Sequence, residues 1–197
     1  MNIDFLRASL AKRPRYVRNA LQRAAILVPL IDDEGPPRLL LTRRTETLST
    51  HKGQVAFPGG RTEPADRDIV ETALREAEEE VGLPRDRVEV LGRLDDMLTV
   101  TGDMIVTPII GRVRQLPPLK ISPYEVARAF TIPLDDLRAP TRWTTRSWAT
   151  RSGEVPVYYF EHDGELLWGL SAYVALQLLD STEAGPPFPI ADYTGDP

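Results

Sequence analysis

Hydrophobic and polar positions along the chain predict strands on both sides of one central helix. Apolar runs at residues 24–31 and 38–42 predict two strands, and the Asp-Asp-Glu-Gly-Pro segment between them predicts a hairpin turn. Four further segments alternate or run apolar in the manner of strands: residues 88–91, 104–113, 125–132 and 155–161. This order of elements predicts a mixed α/β domain.

The central helix is predicted by apolar residues that recur at helical spacing on one face. These residues are Val70, Ala73, Leu74, Ala77 and Val81. Asp66 or Asp68 can cap the start of the helix, and Asp68 and Glu71 have the spacing of a capping box. Gly82 is the expected stop. Before this helix, residues 55–60 form a short apolar run that ends in Pro and paired Gly, which predicts a sharp chain reversal.

The sequence predicts a helical extension at the N-terminus and an irregular tail at the C-terminus. Residues 1–23 are basic and periodically apolar, which predicts a helical extension of one or two amphipathic helices broken near Pro14. A last helix is expected over residues 171–179, followed by an irregular tail over residues 180–197. A chain of 197 residues with 42% hydrophobic residues suits one well-packed domain, so we expect a single domain over residues 1–197.

Composition excludes several classes of protein and site. A net charge of -5 argues against a nucleic-acid protein that binds by bulk electrostatics. The absence of cysteine excludes disulfides, zinc-thiolate sites and a cysteine nucleophile. The longest apolar run, residues 24–31, is much shorter than the roughly 18 residues that span a bilayer. Because the start lacks the basic and apolar regions of a signal peptide, we expect a cytoplasmic location and no membrane partner.

The segment from Arg75 to Gly82, with the sequence REAEEEVG, places three carboxylates on one helix face. At about 100° per residue, Glu79 and Glu80 fall within roughly 60° of Glu76, whereas Glu78 points away. Like charges four residues apart, at the negative end of the helix dipole, are unfavourable. A solvated helix surface is the usual explanation of such a run, but a bound divalent cation would remove the unfavourable terms.

The same residues resemble the box of the Nudix hydrolases, G-x5-E-x7-R-E-U-x-E-E-x-G-U, in which U is a bulky aliphatic residue. The matching residues are Gly60, Asp66, Arg75, Glu76, Glu79, Glu80, Gly82 and Leu83. Asp66 replaces the first Glu, eight residues rather than seven separate it from Arg75, and Ala77 stands at the first U. The extra residue shifts Asp66 relative to the glutamates, so we expect it to cap the helix rather than to bind metal.

A longer stretch resembles the coenzyme A pyrophosphatase branch of this family. It comprises Leu41-Thr42-x-Arg44 and Leu48-x-x-His51-x-Gly53-Gln54-Val55-Ala56-Phe57-Pro58-Gly59-Gly60. Later segments are also similar: Val106-Thr107-Pro108, Glu125-Val126 before Phe130, and Leu167-Trp168-Gly169-Leu170-Ser171-Ala172. The branch tends to share the aspartate and the longer spacing. It usually has Arg where this chain has Ser49, so Arg43, Lys52 or Arg61 would have to supply that phosphate contact.

The resemblance implies a Nudix fold, an α/β/α sandwich around a mixed β-sheet with a metal-binding loop-helix motif. It implies an enzyme that hydrolyses the pyrophosphate bond of coenzyme A or its derivatives to 4′-phosphopantetheine and adenosine 3′,5′-bisphosphate. Glu76, Glu79 and Glu80 would bind Mg²⁺ or Mn²⁺, which suit an all-oxygen site. Arg75 would orient Glu79. Glu76, Glu80 and Glu125 are all candidates for the general base.

The substrate would be a small molecule, bound by residues before and at the start of the box. The expected substrate-binding residues are Arg44, His51, Lys52, Gln54, Gly59 and Gly60. We expect Gly59 and Gly60 to form the turn, and Arg44 to be better placed than Arg43 because strand neighbours point to opposite faces. Two other functions stay open: hydrolysis of another nucleoside diphosphate derivative such as ADP-ribose, or a catalytically silent nucleotide-binding module. A monomer or a homodimer is expected.

Overall fold

The computed structural model describes residues 1–18, 22–46, 52–99, 102–150 and 153–191. The α-helices are α1 (Ile3–Lys12), α2 (Ile69–Val81), α3 (Leu134–Leu137) and α4 (Gly169–Asp180). The first strands are β1 (Arg23–Ile31), β2 (Arg38–Arg44), β3 (Val55–Ala56), β4 (Gly59–Arg61), β5 (Glu89–Arg93) and β6 (Met97–Leu98). The later strands are β7 (Ile105–Val113), β8 (Val126–Pro133), β9 (Trp143–Thr150), β10 (Gly153–His162) and β11 (Glu165–Trp168).

The strands form two sheets. The larger sheet has eight strands, with the central order β3-β2-β1-β7-β5, while β4 pairs with β1, β6 with β7 and β8 with β2. Strands β1 and β7 run parallel from Arg23↔Ile105 to Ile31↔Val113, and the other pairs in this sheet are antiparallel. The predicted hairpin of β1 and β2 is confirmed by the pair Leu30↔Leu39. A smaller antiparallel sheet has the order β11-β10-β9.

Helices cover both faces of the larger sheet, which confirms the predicted mixed α/β fold. Residues on β1 alternate between two apolar clusters, as expected for a central strand that is buried on both sides. Leu27 packs with α2 in one cluster, whereas Val28 packs with α1, α4 and the smaller sheet in the other. The acidic helix and the terminal helices therefore lie on opposite faces of the sheet.

Helix α2 begins and ends close to where the sequence indicates. The side chain of Asp68 accepts hydrogen bonds from the backbone N–H groups of Val70 and Glu71, which makes Asp68 the N-cap. Gly82 closes the helix with a φ of 67°, in the left-handed region that favours glycine. The expected capping role of Asp66 is wrong, because its carboxylate is bonded to Arg75 instead.

The N-terminal extension contains one helix within the described residues. After α1, residues 13–18 are not helical, because Asp95 and Asp96 hold them by backbone hydrogen bonds: Asp95 accepts from the N–H of Tyr16 and Asp96 from that of Arg18. Residues 19–21 lie outside the described part of the chain. Of the one or two helices predicted, the described residues contain one, and residues 13–18 do not form a second.

The last helix, α4, begins two residues earlier than predicted and ends one residue later. Residues 181–191 are irregular, as predicted. None of the helices in the described residues has the length and apolarity that crossing a bilayer requires.

Candidate active site

Three glutamates on α2 share one face but differ strongly in burial. The side chain of Glu80 is 3% exposed, that of Glu76 is 14% exposed and that of Glu79 is 59% exposed. Glu78 lies outside this face and pairs with Arg85 at 2.8 Å. The helix therefore presents a graded row of carboxylates, from a buried floor at Glu80 to an exposed rim at Glu79.

Arg75 connects this row to the loop before the helix. Its guanidinium donates two hydrogen bonds to Asp66, at 2.9 and 3.1 Å, and one to the carbonyl of Arg61 at 3.0 Å. Its Nη1 also donates to Glu76 at 2.9 Å and to Glu79 at 3.1 Å. The predicted contact with Glu79 is present, but Asp66 is the partner that raises the pKa of Arg75 most.

Asp66 is the residue that sequence reasoning misplaced. Besides Arg75, it accepts hydrogen bonds from the hydroxyl of Thr72 and the N–H of Glu63. The bidentate pair with Arg75 lowers the pKa of Asp66, so the carboxylate stays charged. The signal that could have found this role is the box itself, where an acidic residue precedes the arginine.

Gly59 and Gly60 approach the row of carboxylates from strand β4. They pair with Ile26 and Ala25 of β1, so they belong to a strand, and the prediction that they form a turn is wrong. The N–H of Gly59 donates a long hydrogen bond of 3.4 Å to Glu80. A Cβ at Gly60 would lie 2.5 Å from Oε1 of Glu76. A side chain at this position would therefore displace the carboxylate of Glu76, whereas at Gly59 a Cβ would meet the backbone of Ala25 and Ile26.

Arg44 and Glu125 complete the site from the far side. Nη1 of Arg44, at the end of β2, lies 3.4 Å from Oε1 of Glu80. Arg43, its neighbour, pairs instead with Glu165 on the opposite face, as the period of two predicts. Glu125 stands just before β8, and its charge acts on both Glu76 and Glu80. The structure thus brings Arg44 and Glu125 to the carboxylate row.

The remaining predicted substrate-binding residues are distributed unevenly. Gln54 supports the site through its backbone, because its carbonyl accepts the N–H of Arg44 at 3.0 Å. Lys52 is exposed in the turn before β3, and no hydrogen bond or ion pair within the described ranges joins it to the carboxylates. His51 and Ser49 lie outside the described residues.

Burial dominates the electrostatics of the two inner carboxylates. It raises the pKa of Glu80 to about 8, while Arg44 opposes the shift and the charges of Glu125 and Glu76 add to it. Burial also raises the pKa of Glu76, against the opposing effect of Arg75. The ionised form of each group is therefore poorly compensated by the protein alone.

The residues present fit a hard divalent cation. In the described ranges, no three acidic or histidine side chains converge with metal-ligand spacing. Arg75 and Arg44 donate hydrogen bonds to the three glutamates. The donor set nevertheless consists of carboxylate oxygens, the ligands that Mg²⁺ and Mn²⁺ prefer. A bound cation would compensate the negative charges of the buried Glu76 and Glu80, which the protein alone compensates poorly.

Comparison with known proteins assigns the chain to a family. The model of the NUDIX domain matches residues 20–151, which include the strand β4, the loop and α2. The chain belongs to the Nudix hydrolase family. Hydrolases of this family generally use divalent metal ions.

The relatives and solved structures agree with this assignment. The chain is 39% identical over 184 residues to the uncharacterized Nudix hydrolase NudL of Photorhabdus laumondii, covering 92% of this chain and 96% of the relative. The uncharacterized Nudix hydrolase NudL of Pectobacterium atrosepticum is 40% identical over 177 residues, covering 89% of this chain and 91% of the relative. A MutT/nudix family protein from Enterococcus faecalis shares the fold with a TM-score of 0.54, 14% identity and coverage of 91% of this chain and 68% of that chain. A NUDIX hydrolase from Alicyclobacillus acidocaldarius shares the fold with a TM-score of 0.51 and 20% identity. The match covers 61% of this chain and 82% of that chain.

Proposed function

We propose that this Nudix hydrolase cleaves the pyrophosphate bond of coenzyme A or its derivatives, giving 4′-phosphopantetheine and adenosine 3′,5′-bisphosphate. One observation carries the proposal: described residues near both ends of the stretch that resembles the coenzyme A branch lie against the carboxylate site. Arg44 of that segment contacts Glu80, Gly59 donates to Glu80, and Gly60 lies against Glu76. The described ends of this stretch therefore border the place where a diphosphate would react.

Glu76, Glu79 and Glu80 would hold Mg²⁺ or Mn²⁺. When bound, the ion neutralises charge that develops on phosphoryl oxygens and lowers the pKa of bound water. Arg75 fixes the orientation of Glu76 and Glu79 through its hydrogen bonds. Arg44, 23% exposed, offsets part of the cost of a charged Glu80 and offers a cationic surface to the anionic substrate.

Glu125 is the residue that we propose as the proton acceptor. Glu76, Glu79 and Glu80 are each held by a hydrogen bond from an arginine. The side chain of Glu125, in contrast, makes no hydrogen bond or ion pair within the described ranges. A carboxylate beside the site without such a partner is free to accept a proton from the attacking water. Glu125→Gln should lower kcat strongly and leave KM nearly unchanged.

Product analysis tests the substrate. The purified protein, with Mg²⁺ or Mn²⁺, is incubated with coenzyme A, dephospho-coenzyme A and ADP-ribose, and Glu79→Gln serves as the inactive control. We expect coenzyme A to be the preferred substrate, with turnover lost in Glu79→Gln and on removal of the metal. Equal turnover of ADP-ribose would contradict the assignment of coenzyme A as the substrate. It would favour a hydrolase of another nucleoside diphosphate derivative. No turnover of any compound would contradict the proposal that the protein is an enzyme and favour a catalytically silent nucleotide-binding module.

The cytoplasmic location, the single domain and the monomeric or homodimeric state stay predictions from the sequence.

A further inference from the structure

Two arginines stand directly opposite each other on neighbouring antiparallel strands. Arg43 on β2 is the Cα partner of Arg128 on β8, so their side chains leave the same face of the sheet. Like charges in this position destabilise a strand pair. Glu165 of β11 lies between them: its Oε1 accepts a hydrogen bond from Nη1 of Arg128 at 3.1 Å and lies 3.8 Å from Nη1 of Arg43.

This cluster has a surplus positive charge and free hydrogen-bond donors. Glu165 is 5% exposed and can neutralise one guanidinium, not two. The side chains of Arg43 and Arg128 are 45% and 47% exposed, and no other hydrogen bond engages their guanidinium groups within the described ranges. Because Arg128 also packs over the ring of Phe130, at 5.3 Å, the donors are held in place before a ligand arrives.

The cluster lies at the same end of the sheet as the carboxylate site, on the opposite face of the strands. Arg43 is the neighbour of Arg44, which contacts Glu80, and Arg128 follows Glu125 by three residues, or about 10 Å of strand. The register of β2 and β8 shifts between Arg43 and Arg44, which marks a bulge at this point. Bulges bend a strand, re-aim its side chains and occur often beside active sites.

We infer that Arg43 and Arg128, positioned by the buried Glu165, bind a phosphomonoester of the substrate. This inference rests on the proposed function, in which the phosphomonoester is the 3′-phosphate that coenzyme A has and dephospho-coenzyme A and ADP-ribose lack. A phosphomonoester carries more negative charge than a diester and offers three acceptor oxygens. Arginine forks match such a group by paired, charge-assisted hydrogen bonds. The cluster would thus select the substrate without taking part in bond cleavage.

Binding of the nucleotide product tests the inference independently of turnover. Calorimetry compares adenosine 3′,5′-bisphosphate with adenosine 5′-monophosphate on the intact protein and on Arg43→Gln and Arg128→Gln. We expect the bisphosphate to bind more tightly to the wild-type protein, and each variant to lose about tenfold for the bisphosphate and little for the monophosphate. The matched control is Arg146→Gln, an exposed arginine that stacks on Tyr159 and should change neither affinity.

Kinetics and a second pair of variants separate binding from a structural role. Each glutamine variant should raise KM for coenzyme A severalfold more than it raises KM for dephospho-coenzyme A, and the effect should lie in KM rather than in kcat. If removing an arginine unfolds the protein, Arg43→Lys and Arg128→Lys keep a positive charge for Glu165 but lose the fork. These lysine variants should fold and still bind the bisphosphate less tightly.

Several results would overturn the inference. Equal affinity of the wild-type protein for the two nucleotides, or equal losses for both in the variants, would exclude a phosphomonoester site here. If coenzyme A is hydrolysed but the variants behave like the wild-type protein, the inference fails and the proposed function stands. If no coenzyme A is hydrolysed but the variants abolish the bisphosphate preference, the anion site stands and the proposed function fails.

Discussion

Replacing Glu80 by glutamine should stabilise the metal-free protein while it abolishes catalysis. The side chain of Glu80 is almost fully buried, and burial raises its pKa to about 8 from an ordinary value of 4.5. Below about pH 4.5, Glu80 is protonated in both the folded and the unfolded chain, so no penalty exists. As the pH rises, the unfolded chain ionises first, and the free energy of unfolding falls until about pH 8.

The magnitude at neutral pH follows from this shift. Between pH 4.5 and pH 7 there are roughly two and a half pH units, each equal to about 1.4 kcal/mol. The folded wild-type protein therefore loses on the order of 3 kcal/mol at pH 7 relative to a chain with a neutral side chain at this position. Glutamine has a similar shape and does not titrate, so Glu80→Gln should recover most of this energy at pH 7 and little at pH 4.5.

Urea denaturation in EDTA, repeated from pH 4.5 to pH 8, measures the difference. The matched control is Glu78→Gln on the same helix, whose side chain is 46% exposed and paired with Arg85; losing that surface pair should change stability by less than about 1 kcal/mol. Excess Mg²⁺ should stabilise the wild-type protein and leave Glu80→Gln nearly unchanged. If Glu80→Gln is less stable than the wild-type protein at pH 7, or keeps the same pH dependence, the electrostatic account of the site is wrong.

Three further changes test the frame of the site. Gly60→Ala places a Cβ within 2.5 Å of Oε1 of Glu76, so kcat should fall on the order of 100-fold with an unchanged circular dichroism spectrum; a normal kcat would contradict the close approach. Asp66→Asn removes the bidentate carboxylate from the buried Arg75, which keeps Glu76 and Glu79 as charged partners, so thermal and urea unfolding should show a loss of about 2 kcal/mol and kcat should fall. Asp68→Ala removes only the N-cap, so we expect a loss of about 1 kcal/mol with kcat unchanged, and a kcat as low as that of Asp66→Asn would show that the two aspartates do not have separate roles.

The sequence predicts those parts of the fold that local chemistry decides. Helix α2 was predictable because Asp68 and Gly82 are strong start and stop signals and the apolar face between them is regular. The long strands β1 and β7 were predictable because both their faces are buried. Strand β9 gave no such signal: most of its side chains are exposed, so no alternation marks it, and only pairing with β10 makes it a strand.

Within the site, the sequence predicts which residues meet but not how they are held. The carboxylate face of α2 follows from helix geometry, and Arg44 follows from the period of two on β2. The partner of Arg75 does not follow, because Asp66 reaches it across a loop whose path depends on tertiary contacts. Gly59 and Gly60 were read as a turn because paired glycines usually are, whereas here they allow a strand to pass close to Glu76 and to β1.

The bond between Asp66 and Arg75 has a consequence for how this loop can change over time. The hydrogen bonds from Arg75 to Asp66 hold the loop before α2 in place. These bonds depend on the two side chains meeting, and not on a fixed number of residues between them. An inserted residue can be absorbed as long as one carboxylate still reaches the guanidinium. The loop can therefore change in length, and its acidic residue can be Asp or Glu, while Glu76 and Glu79 keep their orientation. Insertions in this loop should alter the exposed rim of the site near Glu79 before they alter the buried floor at Glu80.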